Sequence, residues 1–491
     1  MNKLDEQFLV VSNRLPLVVD QDEDGWQIKP ASGGLVTALE PIMSRVNGLW
    51  IGWPGSSEQA PFDELFARFA ATHGYRLAAV PLTDEDIELY YRGFANETLW
   101  PLFHDLLGRC HFDLTTWLHY QKVNDLFAEV VAEQADDGQL IWVHDYQLAL
   151  VGHLLRQRGL KNRLAFYLHI PFPSFDLLRR LPWKKELLQG LLSYDLLGFQ
   201  TLRDRRNFVA CVREMFPHVR ADIRRRVTVL DLGERQVSVG NFPISIDFEE
   251  FNQGAAVKAV EEAAWYLHEH YQGRQLLLGV DRLDYTKGIP DRFLAFERAL
   301  EKYPELRRQA TLIQVVVPSR TLVPDYQNLK ETLDQIVGRI NARFNEHGWV
   351  PIHYLYRSLD RTQLLAHYRS CEIALISPLR DGMNLVAKEY CAASVEEKGV
   401  LILSEFAGAA AQLGEHALLV NPYDIEGTAD AIWQAYSMTE EERHQRMRQL
   451  RAEVRRNNVY RWVEQFLDAV QPRTEQLYWH CTEMRREGDE L

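Results

Sequence analysis

LLLGVDRLDYTKGIPDRF, residues 276–293, is the stretch whose reading decides the fold. LLLGV (276–280) is a short continuous apolar run, as expected of a strand buried on both faces of a parallel sheet. A charged loop follows at once, and then a helix-length stretch. The same unit recurs downstream at TLIQVVV (311–317), IHYLYR (352–357), IALISP (373–378), VLILSE (400–405) and ALLVNP (417–422). Upstream there is an earlier series: FLVVSN (8–13), LIWVHD (140–145), LAFYLHI (164–170), DLLGFQ (195–200) and VSVGNF (237–242). Alternating buried strands and helices predict an α/β fold of doubly wound sheets. The pattern breaks near GNFPISIDFEEF (240–251), where Gly and Pro interrupt it. Two Rossmann-like domains facing a cleft are therefore expected, at 1–245 and 246–465. Residues 466–491 read as helical, broken at Pro472, and of a length to cross back to the first domain.

Composition fits this plan. A chain of 491 residues is too long for one ordinary domain, and 46% hydrophobic with 25% charged residues can bury large cores. No apolar run reaches the roughly 18 residues of a membrane span, and the opening MNKLDEQFLVVSNRLP reads as a first strand rather than a signal peptide. The net charge of −14 argues against nucleic acid or an anionic membrane as partner, while leaving room for small phosphorylated ligands in basic pockets. Five scattered cysteines, Cys110, Cys211, Cys371, Cys391 and Cys481, lack metal-ligand spacing and suit free thiols in a reducing cytoplasm. The arginine runs RADIRRR (220–226) and RMRQLRAEVRR (446–456) read as solvated helix faces.

Ligands of open α/β sheets collect beyond the carboxyl ends of the strands. After the first strand, SNRLP supplies Arg14, and SGGLVTALEPIM places Gly33 and Gly34 at a helix start, where free N–H groups and the helix dipole suit a phosphate. A tight turn feeding a core helix is the alternative. In VDRLDYTKGIPDRF (280–293), Arg282 and Lys287 offer one fixed and one mobile positive charge for a diphosphate leaving group. SPLRDGMNLVAKEYCAA (377–393) ends a strand, turns at DG and starts a helix near Asn384. Backbone N–H groups of Met383, Asn384 and Leu385 would face a phosphate or sugar, and Asp381 would accept from sugar hydroxyls. Glu389, eight residues on and about 80° further round a helix, borders the same cleft and suits ribose hydroxyls. HDYQLAL (144–150), LHIPFP (168–173) and GFQT (198–201) bring Asp145, His169 and Gln200 to strand ends, and VVPSR (316–320) brings Arg320. Tyr91 and Trp100, in YYRGFANETLWPLF (90–103), read either as helix core or as walls of a sugar site.

Taken in order, SNRLP, SGGL, GLWIGWPG, YYRGFAN with LWP, HDYQL, LHIPFP, YDLLGFQT, DRLDYTKG, RDGMNLVAKEY and SEFAGAA resemble the trehalose-6-phosphate synthases over nearly the whole chain. That family is one of retaining glycosyltransferases of GT-B architecture. The resemblance implies transfer of glucose from a nucleotide sugar to glucose-6-phosphate, with UDP-glucose the first donor to consider and GDP- and ADP-glucose left open by the residues. It implies an acceptor pocket of Arg14, Trp53, Tyr91, Trp100, Asp145 and Arg320, with Gln200 on the same side. It implies diphosphate contacts from Gly34, Arg282 and Lys287, and contacts to the transferred glucose from Asp381 and from Gly382, Met383, Asn384 and Leu385. His169 stands beside the donor sugar, Glu389 is the ribose ligand, and Leu364 and Val386 border the nucleoside. Arg282, Lys287, His169 and Asp381 are the expected catalytic set. Neither a cofactor nor a metal is expected, because Lys and Arg meet the leaving-group charge. Two departures stand out: Gln147 where the family commonly has a second histidine, and Leu359 where some relatives place Phe. Expected partners are small molecules only, with a homo-oligomer left open and no phosphatase domain expected after the second Rossmann unit. Three other readings share the fold: a synthase using glycerol-3-phosphate, a non-catalytic sugar-phosphate sensor, and a pseudo-glycosyltransferase joining cyclitols through nitrogen.

Overall fold

Burial on both faces favours apolar side chains along a strand, and the polar ones admitted near the carboxyl ends, such as Asn13 and Gln314, are hydrogen-bonded. In Phe8–Arg14 six consecutive residues are buried and Arg14, the last, is exposed. Ala310–Val317 is buried at seven consecutive positions. The computed structural model describes residues 8–470 other than 23–24, 31–33, 57–59, 225, 272 and 320–323.

Two sheets carry the fold among these residues. The first holds nine strands in the spatial order Arg76–Ala79, Leu49–Trp53, Phe8–Arg14, Leu140–His144, Leu164–Tyr167, Leu196–Phe199, Gln236–Asn241, Val227–Asp231 and Arg220–Ile223. The first seven run parallel, and the last two add an antiparallel edge. The second holds six parallel strands in the order Ile352–Tyr356, Ala310–Val317, Gln275–Arg282, Ile373–Ile376, Val400–Ser404 and Leu418–Val420. With the hairpin Leu17–Asp22 and Gly25–Pro30 set aside and each sheet numbered along the chain, the second winds 3-2-1-4-5-6, the doubly wound order, and the first begins with the same order and continues 9-8-7 into its antiparallel edge.

That winding locates the site. Where strand order reverses, the two flanking connections leave in opposite directions and open a crevice. In the first sheet the reversal lies between Phe8–Arg14 and Leu140–His144, whose carboxyl ends deliver Arg14 and Asp145. In the second it lies between Gln275–Arg282 and Ile373–Ile376, whose ends deliver Arg282 and the 377–384 loop.

Several elements depart from the reading of the sequence. Arg220–Ile223, expected on a helix face, is an exposed edge strand; its polar alternation suits a strand with water on its open side. Arg451, expected on a solvated face, is buried on the Glu440–Arg456 helix and donates to the Cys391 and Ala392 carbonyls at 3.0 and 2.6 Å. The helix Val459–Val470 returns to the first sheet, stacking Phe466 on Trp142 at 4.4 Å between ring centroids. Trp462, Val463 and Phe466 are buried there, each worth about 1.5–3 kcal/mol of apolar transfer. Pro472 and Cys481 lie outside the described residues. The cysteines within them are free thiols. Among the described residues, no helix is long and apolar enough to cross a membrane.

Candidate active site

A cleft of about 970 Å³ runs between the two reversal points. Arg14, Gly34, Tyr91, Trp100, Asp145 and His169 line it from the first sheet. Arg282, Lys287, Asp381, Met383, Asn384, Leu385, Val386, Glu389 and Leu364 line it from the second.

On the first side, the Arg14 guanidinium lies 4.7 Å from the Trp53 ring centroid and 5.4 Å from that of Tyr91. The aromatic faces hold the cation in place while leaving its donors for an anion. Trp53 itself lines an adjoining pocket that shares Arg14 and Tyr91. Asp145 ends its strand at φ 76°, a conformation that residues with side chains adopt rarely and mostly at sites that need it. Its carboxylate accepts from the His169 backbone N–H at 3.2 Å. Burial pushes the Asp145 carboxyl up to about 7, against the opposing pull of its hydrogen bonds and of Arg282.

On the second side, Gly288 starts the helix Ile289–Lys302 at φ 60°, where a Cβ would meet the Ser377 carbonyl. Only glycine lets the loop that carries Lys287 turn so close to the 377–381 strand end. The Lys287 ammonium then reaches the Asp381 carboxylate at 2.5 Å. Burial alone would raise the Asp381 carboxyl, but Lys287, with the Met383 N–H and His104, more than offsets it and the group is held below the usual range. Asn384 takes the left-handed conformation at φ 64° and caps the helix Leu385–Ala393 by accepting from Ala387 N–H at 3.1 Å. Its amide also donates to Asp381 at 3.2 Å. The Met383 N–H, expected to face the ligand, is turned onto Asp381 at 3.2 Å. Glu389 accepts from the Tyr368 hydroxyl at 2.8 Å, and burial raises its carboxyl. Beneath these loops Arg292 is fully buried. It joins Asp281, Gln314, Ser377 and the Lys287 carbonyl, so one guanidinium braces three strand ends.

Besides Trp53, two expected residues lie away from the cleft lining. Gln200 is buried and accepts from the Ile244 N–H at 3.0 Å, fixing the segment between the two sheets. Gly382 is packed so closely that a Cβ would overlap the His169 carbonyl, making it a point of contact between the two sides. Arg320 lies outside the described residues, as does Gly33. Conversely, the cleft includes His144, His104, Asn96, Arg361 and Tyr368, which the motifs did not single out. His144 Nδ1 lies 3.0 Å from His169 Nε2, and burial pushes both imidazoles down, His169 to about 3, so the pair is neutral. Its position directly before Asp145 was the one available signal. Among the described residues, no group of three or more His, Cys, Asp or Glu side chains is placed to hold a metal ion.

Two doubly wound sheets facing each other across a cleft, matched over 95% of the chain by solved trehalose-phosphate synthases, are those of a glycosyltransferase of the GT-B class. More narrowly, the chain belongs to glycosyltransferase family 20, whose sequence profile matches residues 6–472. It is 42% identical over 469 residues to the trehalose-6-phosphate synthase of Mycolicibacterium vanbaalenii, covering 94% of this chain and 95% of that one. A UDP-forming α,α-trehalose-phosphate synthase from Burkholderia xenovorans, solved in complex with glucose-6-phosphate, superposes with a TM-score of 0.85 at 35% identity, over 95% of this chain and 100% of the other. An E. coli trehalose-6-phosphate structure bound with UDP-2-fluoro glucose gives a TM-score of 0.84 at 35% identity, over 95% and 99%.

Proposed function

We propose that the chain transfers glucose from UDP-glucose to glucose-6-phosphate, with retention at the anomeric carbon, to give α,α-trehalose 6-phosphate and UDP. The observation that carries this reading is the pairing of two cationic ends across one cleft. Arg282 and Lys287 stand on one side, and Arg14, in its aromatic bracket, stands on the other. Two phosphorylated substrates need that arrangement. Of the relatives named above, one was solved with glucose-6-phosphate and another with UDP-2-fluoro glucose, which supports it further.

In this reading the bond between glucose C1 and the diphosphate breaks while C1 bonds to the acceptor hydroxyl oxygen. Arg282 and Lys287 meet the charge that develops on the departing diphosphate, where fixed donors act most strongly. The hydroxyl proton passes to the leaving phosphate oxygen on the same face. Asp381 leaves Lys287 for the glucose hydroxyls, His169 stands beside that sugar, and Glu389 takes the ribose hydroxyls. Arg14 holds the acceptor phosphate and Asp145 the acceptor hydroxyls. Residues 1–245 then serve the acceptor and 246–465 the nucleotide sugar. The leaving-group charge is met by side chains, so the reading assigns no cofactor. Free buried thiols at Cys211, Cys371 and Cys391 support a cytoplasmic location.

Product analysis tests the reading. UDP-glucose with glucose-6-phosphate is expected to release UDP and a phosphorylated disaccharide, whereas UDP-glucose with glycerol-3-phosphate is expected to give none. Turnover only in the second mixture would keep the donor side and overturn the acceptor.

A further inference from the structure

The 104–110 segment of the first half crosses to the second and meets three of its residues. The Asp105 carboxylate pairs with the Arg380 guanidinium. Arg109 donates to Asp325 at 2.6 Å, and its guanidinium lies 4.6 Å from the Tyr285 ring centroid. Asp105 adopts φ 62°, an unusual conformation for a residue with a side chain, and it does so at the point of crossing. Each end of the Asp105–Arg380 pair continues into one wall of the cleft. On the near side, His104 Nδ1 bonds the Trp100 carbonyl at 2.7 Å. On the far side, Arg380 directly precedes Asp381, and Leu379 N–H donates at 2.8 Å to the carbonyl of Thr286, next to Lys287. Arg380 is largely buried, and Arg203 and Asp204 of the first half lie within charge range of it.

We propose that Asp105 and Arg380 are positioning residues: a latch across the cleft that holds the acceptor wall in register with the donor loop, so that the acceptor hydroxyl rather than water reaches the glucose. Neither residue needs to touch substrate. The latch fixes the 379–384 loop against the 169–170 backbone, where Gly382 makes its close contact. Excluding water from a closed site is what separates transfer from hydrolysis. The inference rests on the transferase reading above.

Two measurements on the full chain test it, with Asp105→Asn, Arg380→Gln and Arg380→Lys. Asn tolerates the left-handed backbone and removes only the charge. The first measurement is amide hydrogen exchange without substrate. Asp105→Asn is expected to speed exchange at 377–384, and Arg380→Gln at 104–110, with the sheet strands unchanged. The second is the partition of UDP-glucose between disaccharide phosphate and free glucose. Asp105→Asn and Arg380→Gln are expected to lose transfer on the order of tenfold while the free-glucose share rises, and Arg380→Lys to recover much of both. Unchanged exchange across the cleft, or an unchanged partition with reduced rate, would overturn the latch. A wild-type protein that makes no disaccharide phosphate would overturn the functional reading instead, and the exchange comparison would still decide the latch.

Discussion

Lys287 and Asp381, 94 residues apart in sequence, form a 2.5 Å ion pair in the floor of the cleft. Both side chains are nearly buried, at 13% and 10% exposure. In the proposed reading the donor enters a site whose cation and carboxylate already neutralise each other, and binding separates them. Water is a poor competitor there, so the exchange of partners is made between protein and substrate.

Removing one partner frees the other. Asp381→Asn is expected to lower kcat by about 100-fold through lost contacts to the glucose. It should leave UDP affinity, measured by calorimetry, equal or improved, because Lys287 is released to the diphosphate. A parallel loss of UDP affinity would contradict this account of the pair.

The two arginines at opposite strand ends should separate kinetically. In the proposed reading Arg282 meets the leaving group, so Arg282→Ala is expected to cost turnover, on the order of 100-fold in kcat. Arg14 would meet a spectator phosphate, so Arg14→Ala should mainly raise the KM for glucose-6-phosphate. Steady-state kinetics showing the reverse would exchange the donor and acceptor sides.

Asp145 sets an acidic limb. Burial pushes its carboxyl up from 3.8 to about 7 in the folded chain, so in the proposed reading the carboxylate that would accept from sugar hydroxyls is lost as pH falls through about 7. The kcat/KM for glucose-6-phosphate is expected to fall with it, and Asp145→Asn to give a low profile that keeps only the dependence imposed by the substrate phosphate. The phosphate's own ionisation near about 6 is common to both proteins, so the difference between profiles isolates the side chain. Stability runs the other way. The buried neutral carboxyl is favoured, so this group's contribution is fully present below 3.8 and lost as pH rises through about 7.

Lys388, one residue before Glu389, is buried and donates to the Ile244 carbonyl and to Gln412, each at 2.6 Å. Burial lowers its amine from 10.5 to about 7. Between those values the unfolded chain binds the extra proton, so this group makes stability rise with pH from about 7 towards 10.5. Lys388→Met leaves the Ile244 carbonyl unpaired and is expected to cost about 1–3 kcal/mol. Denaturant titrations should show a larger deficit at pH 9 than at pH 6; an equal deficit would mean that the amine is charged throughout.

Much of this site was legible because the rule that reveals it is local. A buried parallel strand is a continuous apolar run, and the residue after it lies at the sheet's carboxyl edge. Arg14, Asp145, Arg282 and Asp381 were found in that way. The rule misled at Gln200, which also follows a strand, because its side chain turns to the Ile244 peptide and not into the cleft. It could not find Tyr368, which meets Glu389 from the adjacent helix 21 residues away. The Arg220–Ile223 part of the 220–226 run misread as helix because a charged edge strand and a solvated helix face have similar composition.

The sequence by itself determined two doubly wound sheets, the chain's resemblance to one glycosyltransferase family, and which strand ends carry charge. These follow from periodicity and from residues adjacent in the chain. Only the tertiary structure decided which charges meet: Lys287 with Asp381, His144 with His169, and Asp105 with Arg380 across 275 residues. Ion pairs and hydrogen bonds depend on distances of a few ångströms, and those are set by how two sheets pack, which no local pattern encodes.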